Sequence, residues 1–249
     1  MTVFAAGPKK HTLRPMVTGT SVLGIVYDGG VLLAGDTRLS YGGLAKHEGV
    51  SRMFIVPGSK TVLAASGEFS DFQEIQHLLA QKALEDTHTA NVLIDSLYTD
   101  HSKSLTASSI WSYLRYLFYQ KRNKFNPYWN EVLVAGSDED GKPFLGQVDK
   151  IGTTLKENFL ATGYGAYLAL PILREKWRPD LDEGEARAIL EDCLKVLYYR
   201  DCRASALVQL AKSTNDSCLI SDPFQLETEW SDPAYVGTNA ATLEGDGGW

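Results

Sequence analysis

Two residues sixteen positions apart, Thr20 within Gly19-Thr20-Ser21 and Asp36, are the pair in this sequence best suited to chemistry. A threonine hydroxyl is a weak nucleophile until a base takes its proton, and one solution makes threonine the first residue, so that its own α-amine serves. Cleavage between Gly19 and Thr20 would uncover such a residue. Thr20 also reads as an ordinary β-branched strand former, and the dipeptide alone does not separate the two. Other chemistries find less support. The sequence holds no GxxxxGK(S/T), HExxH or GxSxG, and Gly163-Tyr164-Gly165 lacks the third glycine of a dinucleotide fingerprint. The histidines at 11, 47, 77, 88 and 101 are expected in an N-terminal leader, in loops or on a helix surface, which leaves no basis for a histidine triad. Cys193, Cys202 and Cys218 are widely spaced, without CxxC, and are expected to be buried free thiols. No metal and no cofactor are expected.

The elements that must position Thr20 and Asp36 belong to a chain of 249 residues, 44% apolar, with 24 basic and 31 acidic side chains and a formal charge of −7. That size and composition suit one large domain with a full core, and exclude disorder, collagen and coiled coil. An acidic chain has no general attraction to phosphate backbones or anionic lipid, so neither nucleic acid nor membrane is an expected partner. The basic run Lys121-Arg122-Asn123-Lys124 is expected to be a solvated helix end, where cations favour the macrodipole. No stretch of about 18 apolar residues could span a bilayer. An apolar signal region is missing after Lys9, Lys10 and Arg14, so an intracellular protein is expected.

Residues 1–15 are polar and aperiodic and read as an arm or removable leader, with the fold starting near Met16. Val17 to Tyr27 reads as one β-rich segment, turned by Asp28-Gly29-Gly30 into a second strand from Val31 to Gly35. Arg52 to Val56 and Thr61 to Ser66 form a further pair, and both faces of these strands are apolar. Ser70 and Gln73 make a capping-box pattern before a helix from 70 to about 85, with Asp86 to Thr106 expected as polar loop. Ile110, Tyr113, Leu114, Leu117 and Phe118 share one face of a second helix. Glu131 to Ser137 and Phe144 to Asp149 make another hairpin. A third helix, Gly163 to Trp177, should be interrupted at Pro171. Asp182 and Glu185 cap a fourth whose stripe is Ala186, Ile189, Leu190, Cys193, Leu194 and Leu197. Ala206 to Lys212 and Ser217 to Ile220 close the fold as a hairpin. Blocks of hairpins and helices in this order predict an α+β architecture of antiparallel sheets with helices outside.

With these segments in order, the sequence resembles the β-type subunits of the proteasome, members of the N-terminal-nucleophile hydrolases. The match is carried by Gly19-Thr20, the run Gly29 to Arg38, Ala65-Ser66-Gly67, Gly163-Tyr164-Gly165 and Tyr199-Arg200-Asp201. Within the family it is most similar to the noncatalytic members at the seventh position of the β ring, through the segments Pro15 to Ser21, Ser40-Tyr41-Gly42, Asn126 to Asn130, Leu160 to Ala166 and Val196 to Asp201. The resemblance implies a four-layer αββα sandwich, helices flanking two antiparallel sheets. It implies a β-type domain over residues 16–228, an arm or propeptide over 1–15 and a C-terminal extension over 229–249. It also implies stacked hetero-oligomeric rings of α and β subunits as partners, in cytoplasm and nucleus.

Active members of the family follow the nucleophilic threonine with an aspartate, a lysine, a Gly-Ser-Gly turn and an Asp-x-x-Ser element. Here those positions fall on Thr20, Asp36, Arg52, Tyr164, Asp201 and Ala204, with Ser205 one residue from the last. A lysine can give up a proton and relay it, whereas a guanidinium stays charged and cannot act as a base. Arg52 could still pair with Asp36 structurally. The resemblance therefore implies a noncatalytic subunit of the 20S core particle, these six positions being vestigial. The alternatives are an active threonine peptidase with Thr20 as nucleophile and, further off, a free-standing amidase. In similar subunits a C-terminal extension crosses to the opposite ring, and Trp230 and Tyr235 are the residues expected to anchor it.

Overall fold

The protein is described by a computed structural model over residues 14–94 and 105–229, with side chains as far as residue 85 in the first stretch. In chain order the strands β1 (Val17–Gly19), β2 (Val22–Tyr27), β3 (Gly30–Asp36), β4 (Leu39–Tyr41), β5 (Leu44–His47), β6 (Met53–Ile55) and β7 (Val62–Glu68) lead into helices α1 (Phe69–Ile94) and α2 (Ala107–Asn123). Strands β8 (Asn130–Ser137), β9 (Pro143–Val148), β10 (Thr154–Lys156) and β11 (Phe159–Ala161) follow. Helices α3 (Gly165–Leu168), α4 (Leu170–Lys176) and α5 (Glu183–Arg200) precede β12 (Leu207–Thr214), β13 (Cys218–Ile220) and β14 (Phe224–Gln225).

Every pairing is antiparallel. One sheet runs β10-β9-β8-β7-β1-β4-β5 with β6 on β7, the other β11-β2-β3-β12-β13 with β14 on β12. Successive side chains of a strand point to opposite faces, so strands covered on both sides are apolar throughout. In β3, Val31 and Leu33 join Val62, Ala64, Leu133 and Leu145 between the sheets, while Leu32 and Ala34 face α5 residues such as Leu190 and Leu194. In β7, Leu63 and Ala65 instead meet Phe72 and Ile75 of α1 and Leu114 and Phe118 of α2. Three buried layers of side chains thus separate four layers of backbone, the αββα sandwich that the resemblance implies.

Several expectations change. The single β-rich segment 17–27 is two strands in different sheets, β1 and β2, and Thr20-Ser21 crosses between them. Helix α1 continues to Ile94, through residues expected as loop; no glycine or proline lies between Gly67 and Pro127 to end it. Ser70 is not its cap, because α1 starts at Phe69 and the Ser70 hydroxyl donates to Glu68 Oε1 at 3.1 Å. The third helix is broken into α3 and α4 at Ala169, with Pro171 in the first turn of α4, where a missing N–H costs nothing. The α5 capping box forms as expected, Asp182 and Glu185 each bonding the other's backbone N–H. Lys121 and Arg122 occupy the last turn of α2. The β4–β5 hairpin, in which Leu39 and Ser40 of β4 are buried while β5 is exposed, has no counterpart in the sequence reading. Cys193 is buried, its thiol pushed up to about 12 by desolvation, but Cys202, just past the end of α5, is exposed. Among the described residues no helix is long and apolar enough to cross a membrane.

Candidate functional site

Thr20 lies where the chain leaves one sheet for the other. Before it, Gly19 of β1 is paired with Leu39 on one side and Gly67 on the other. Asp36 ends β3, and the Thr20 hydroxyl donates to Asp36 Oδ1 at 3.1 Å. From the other side Arg52, just before β6, reaches the same carboxylate with Nη2, forming an ion pair in which both side chains are almost fully buried. Its remaining N–H groups are also engaged: Nε donates to Asp36 O at 2.9 Å, Nη1 to Thr20 O at 2.8 Å and Ala65 O at 3.2 Å, and Nη2 to Ser21 O at 3.1 Å. A guanidinium has five donors and no acceptor, so all five are spent. Burial raises the Asp36 carboxyl above the ordinary carboxylate value, opposed by Arg52, the Thr20 hydroxyl and the Ser205 N–H.

The close fit depends on Gly19. A Cβ there would lie 2.3 Å from Arg52 Cδ and 2.9 Å from Nε.

The remaining candidate positions surround the same crossing. Tyr164 stands half-exposed at the start of α3, and with Thr20, Gly163, Tyr167 and Asp201 it lines an open cleft of about 730 Å³. Asp201 caps the end of α5, where Oδ1 accepts the Arg203 N–H at 3.0 Å, while its buried Oδ2 has no partner among the described residues. Ala204 is buried, its N–H bonded to Asp201 O at 3.0 Å and its carbonyl to Arg38 Nη1 at 2.9 Å. Ser205 is used differently: its N–H donates to Asp36 Oδ2 at 3.1 Å and its hydroxyl accepts the Leu207 N–H at 3.2 Å. The six positions are therefore gathered around one crossing. Trp230 and Tyr235 lie outside the described residues. The last described residue, Glu229, is held by Tyr199, whose hydroxyl accepts the Glu229 N–H at 2.7 Å and donates to its carbonyl at 3.1 Å.

Two residues at this site were not singled out from sequence for the roles they play. Ser21 is buried and its hydroxyl accepts the Gly165 N–H at 2.8 Å, tying the 163–165 turn to the β1–β2 crossing. Glu68 is buried beside β1, with Oε2 accepting from the N–H groups of Met16 and of Val17, the latter at 3.1 Å. A carboxylate ending an otherwise apolar strand was the available signal for Glu68; nothing local marks Ser21.

A hydroxyl bonded to a carboxylate can act as a nucleophile only if its proton has somewhere to go. The neighbouring Arg52 cation cannot accept that proton, and the nitrogen of Thr20 could do so only in a chain cleaved after Gly19. No cluster of three or more His, Cys, Asp or Glu side chains that could hold a metal occurs among the described residues.

Comparison with known proteins agrees with this geometry. The family model for a proteasome subunit matches residues 16–212. Proteasome subunit beta type-4 of Dictyostelium discoideum is 41% identical, over 89% of this chain and 82% of the relative. The protein of the same name from Arabidopsis thaliana is 39% identical, over 99% of this chain and 94% of its own length. Proteasome subunit beta type-7 of Saccharomyces cerevisiae is 39% identical, over 83% of this chain and 77% of the relative. A fold of two antiparallel sheets between helices, a threonine–aspartate pair at the sheet crossing and a family match over most of its length place this chain in the proteasome subunit family.

Proposed function

We propose that this chain is a noncatalytic structural β subunit of the 20S core particle, supporting ring assembly and the wall of the proteolytic chamber. One observation carries the reading: Arg52 occupies the place of a titratable amine with a guanidinium whose five N–H groups are all bound. Catalytic groups that work as a relay fail together, so replacing the lysine removes far more than a fraction of the rate. Tyr164 adds a ring where a small hydroxyl would serve, and Ala204 offers no hydroxyl at all. Thr20, Asp36 and Asp201 then serve as fold-holding remnants. In the second reading, favoured by the retained Thr20–Asp36 hydrogen bond, the chain is an active threonine peptidase.

Substitution Thr20→Ala separates the two. Assembled particles carrying it should keep every peptidase activity of the wild-type particle, and N-terminal sequencing should find a chain that begins upstream of Thr20. Loss of one activity class together with a wild-type chain beginning at Thr20 would establish the second reading. Residues 1–15 are assigned as the arm or propeptide, 16–228 as the β-type domain and 229–249 as an extension to the opposite ring, with Trp230 and Tyr235 as anchors. The Tyr199 grip on Glu229 supports that assignment by fixing where the extension departs. Deleting residues 229–249 should leave half-particles in excess over full particles on native gels; an unchanged ratio would remove the extension from ring pairing. The place of action that goes with this reading is cytoplasm and nucleus.

A further inference from the structure

Helix α2 ends in a complete Schellman motif. The Phe125 N–H donates to Arg122 O at 3.0 Å and the Asn126 N–H to Lys121 O at 3.1 Å, the two bonds that close such an end. The motif requires a left-handed residue between them, a position that glycine usually fills because a Cβ there crowds the following carbonyl. Here the residue is Phe125, with φ 53°, the one non-glycine at positive φ among the described residues. Its ring is 84% exposed, more than any other large apolar side chain among the described residues. Glycine or asparagine would close this helix with less strain. A bulky side chain kept in a strained, solvent-facing position points to a use outside the fold.

The surroundings say what kind of surface it meets. Along α2, Tyr116, Tyr119 and Arg122 follow one another at a spacing of three, on neighbouring turns of one face, and the same spacing continues past the helix to Phe125. Tyr116 is 64% and Tyr119 48% exposed, and the Arg122 guanidinium lies over the Tyr119 ring at 5.6 Å. The loop at Gly152 packs directly on Tyr119 and brings exposed Ile151 alongside. Two exposed cations, Arg122 and Lys124, accompany these aromatic groups, and neither forms an ion pair among the described residues, whereas Lys121 turns instead to the buried Tyr128 ring at 4.7 Å. Aromatic rings with arginine make up the composition of interface anchors.

We propose that Phe125, with the Tyr116–Tyr119 ridge, is a docking knob for a neighbouring subunit of the particle, one that presents an apolar pocket rimmed by carboxylates. The inference rests on reading this chain as an assembled subunit. Arg122 and Lys124, without an ion-pair partner among the described residues, select an acidic rim, and the Schellman end fixes the backbone from which the ring projects, so little backbone freedom is lost when it enters the pocket.

The test co-expresses the full-length chain in two differently tagged forms, wild type and variant, and counts both in purified core particles by mass spectrometry. Phe125→Asn keeps a residue that tolerates the left-handed turn but removes the ring. The unfolding midpoint of the full-length Phe125→Asn chain should stay level or rise, while its share in particles falls about tenfold below the wild type. Phe125→Leu, apolar but without the ring, should fall between them, and Lys124→Glu should also be under-represented. Equal incorporation of Phe125→Asn and wild type would overturn the knob while leaving the assembly reading intact. A lowered midpoint would also overturn it, by making the ring a support of the fold. Self-association of the isolated chain that disappears in Phe125→Asn would assign the surface to a second copy and reject the proposed partner. If even the wild type is absent from particles, the assembly reading itself fails.

Discussion

Arg52→Met should destabilise the full-length chain by about 3–5 kcal/mol, the loss that follows when one partner of a buried ion pair is removed. The substitution leaves the Asp36 carboxylate, 4% exposed, without a counter-ion, held by the Thr20 hydroxyl and the backbone N–H groups of Ser205 and Arg38, and it strips a donor from the carbonyls of Thr20, Ser21, Asp36 and Ala65. Buried acceptors without donors cost free energy individually, and here four are affected at once. Arg52→Lys keeps the charge but has three donors for five bonds, so it should cost less, about 1–3 kcal/mol, and restore no hydrolysis. Urea unfolding of the three proteins measures this directly. The double variant Asp36→Asn with Arg52→Met should recover part of the loss, since no uncompensated charge remains. An Arg52→Met chain as stable as the wild type would show that the pair does not hold the crossing together.

The second large effect is expected at Gly67, which has φ +93° in β7 directly beside β1. A Cβ on Gly67 would lie 2.0 Å from Trp129 O and 3.0 Å from its carbonyl carbon, both backbone atoms that cannot swing aside. Next to it the Asn130 side chain donates to Ser66 O at 3.0 Å and Glu68 O at 2.8 Å, so the strand cannot shift without breaking those bonds as well. Gly67→Ala should therefore cost about 3 kcal/mol or more, adding strain from forced overpacking to that of the left-handed backbone. Gly42→Ala is the control. Gly42 has φ +60° with no atom within 4 Å of the added Cβ, so only the backbone term of about 1 kcal/mol applies. Thermal unfolding that ranks the two variants equally would refute the steric part of the explanation.

The parts of this fold that could be read from sequence are those whose signals are local. Asp28-Gly29 turns β2 into β3, the Asp182–Glu185 box starts α5, and six apolar residues at helical spacing mark its buried face. Positions 20, 36 and 52 were likewise legible, because family spacing ties them together before any contact is known. Long-range contacts were not. Ser21 meets Gly165 across 144 residues, and Glu68 holds backbone more than fifty residues earlier, so neither pairing leaves a trace in any short window. The division of 17–27 into strands of two sheets was hidden for a related reason: both halves are β-rich, and only the layered packing decides which sheet each joins. The end of α1 was misjudged because a polar stretch without glycine or proline looks like loop when only the apolar stripe is followed.

Exposure of assembled particles to a threonine-directed covalent inhibitor, followed by peptide mass spectrometry across residue 20, most directly tests whether the clamped hydroxyl is inert. The Thr20 peptide should be recovered unmodified and still joined to Gly19, while active subunits of the same particles are labelled. An adduct on the Thr20 hydroxyl, in a chain whose first residue is Thr20, would contradict the assignment of Arg52 as a structural clamp in a noncatalytic subunit.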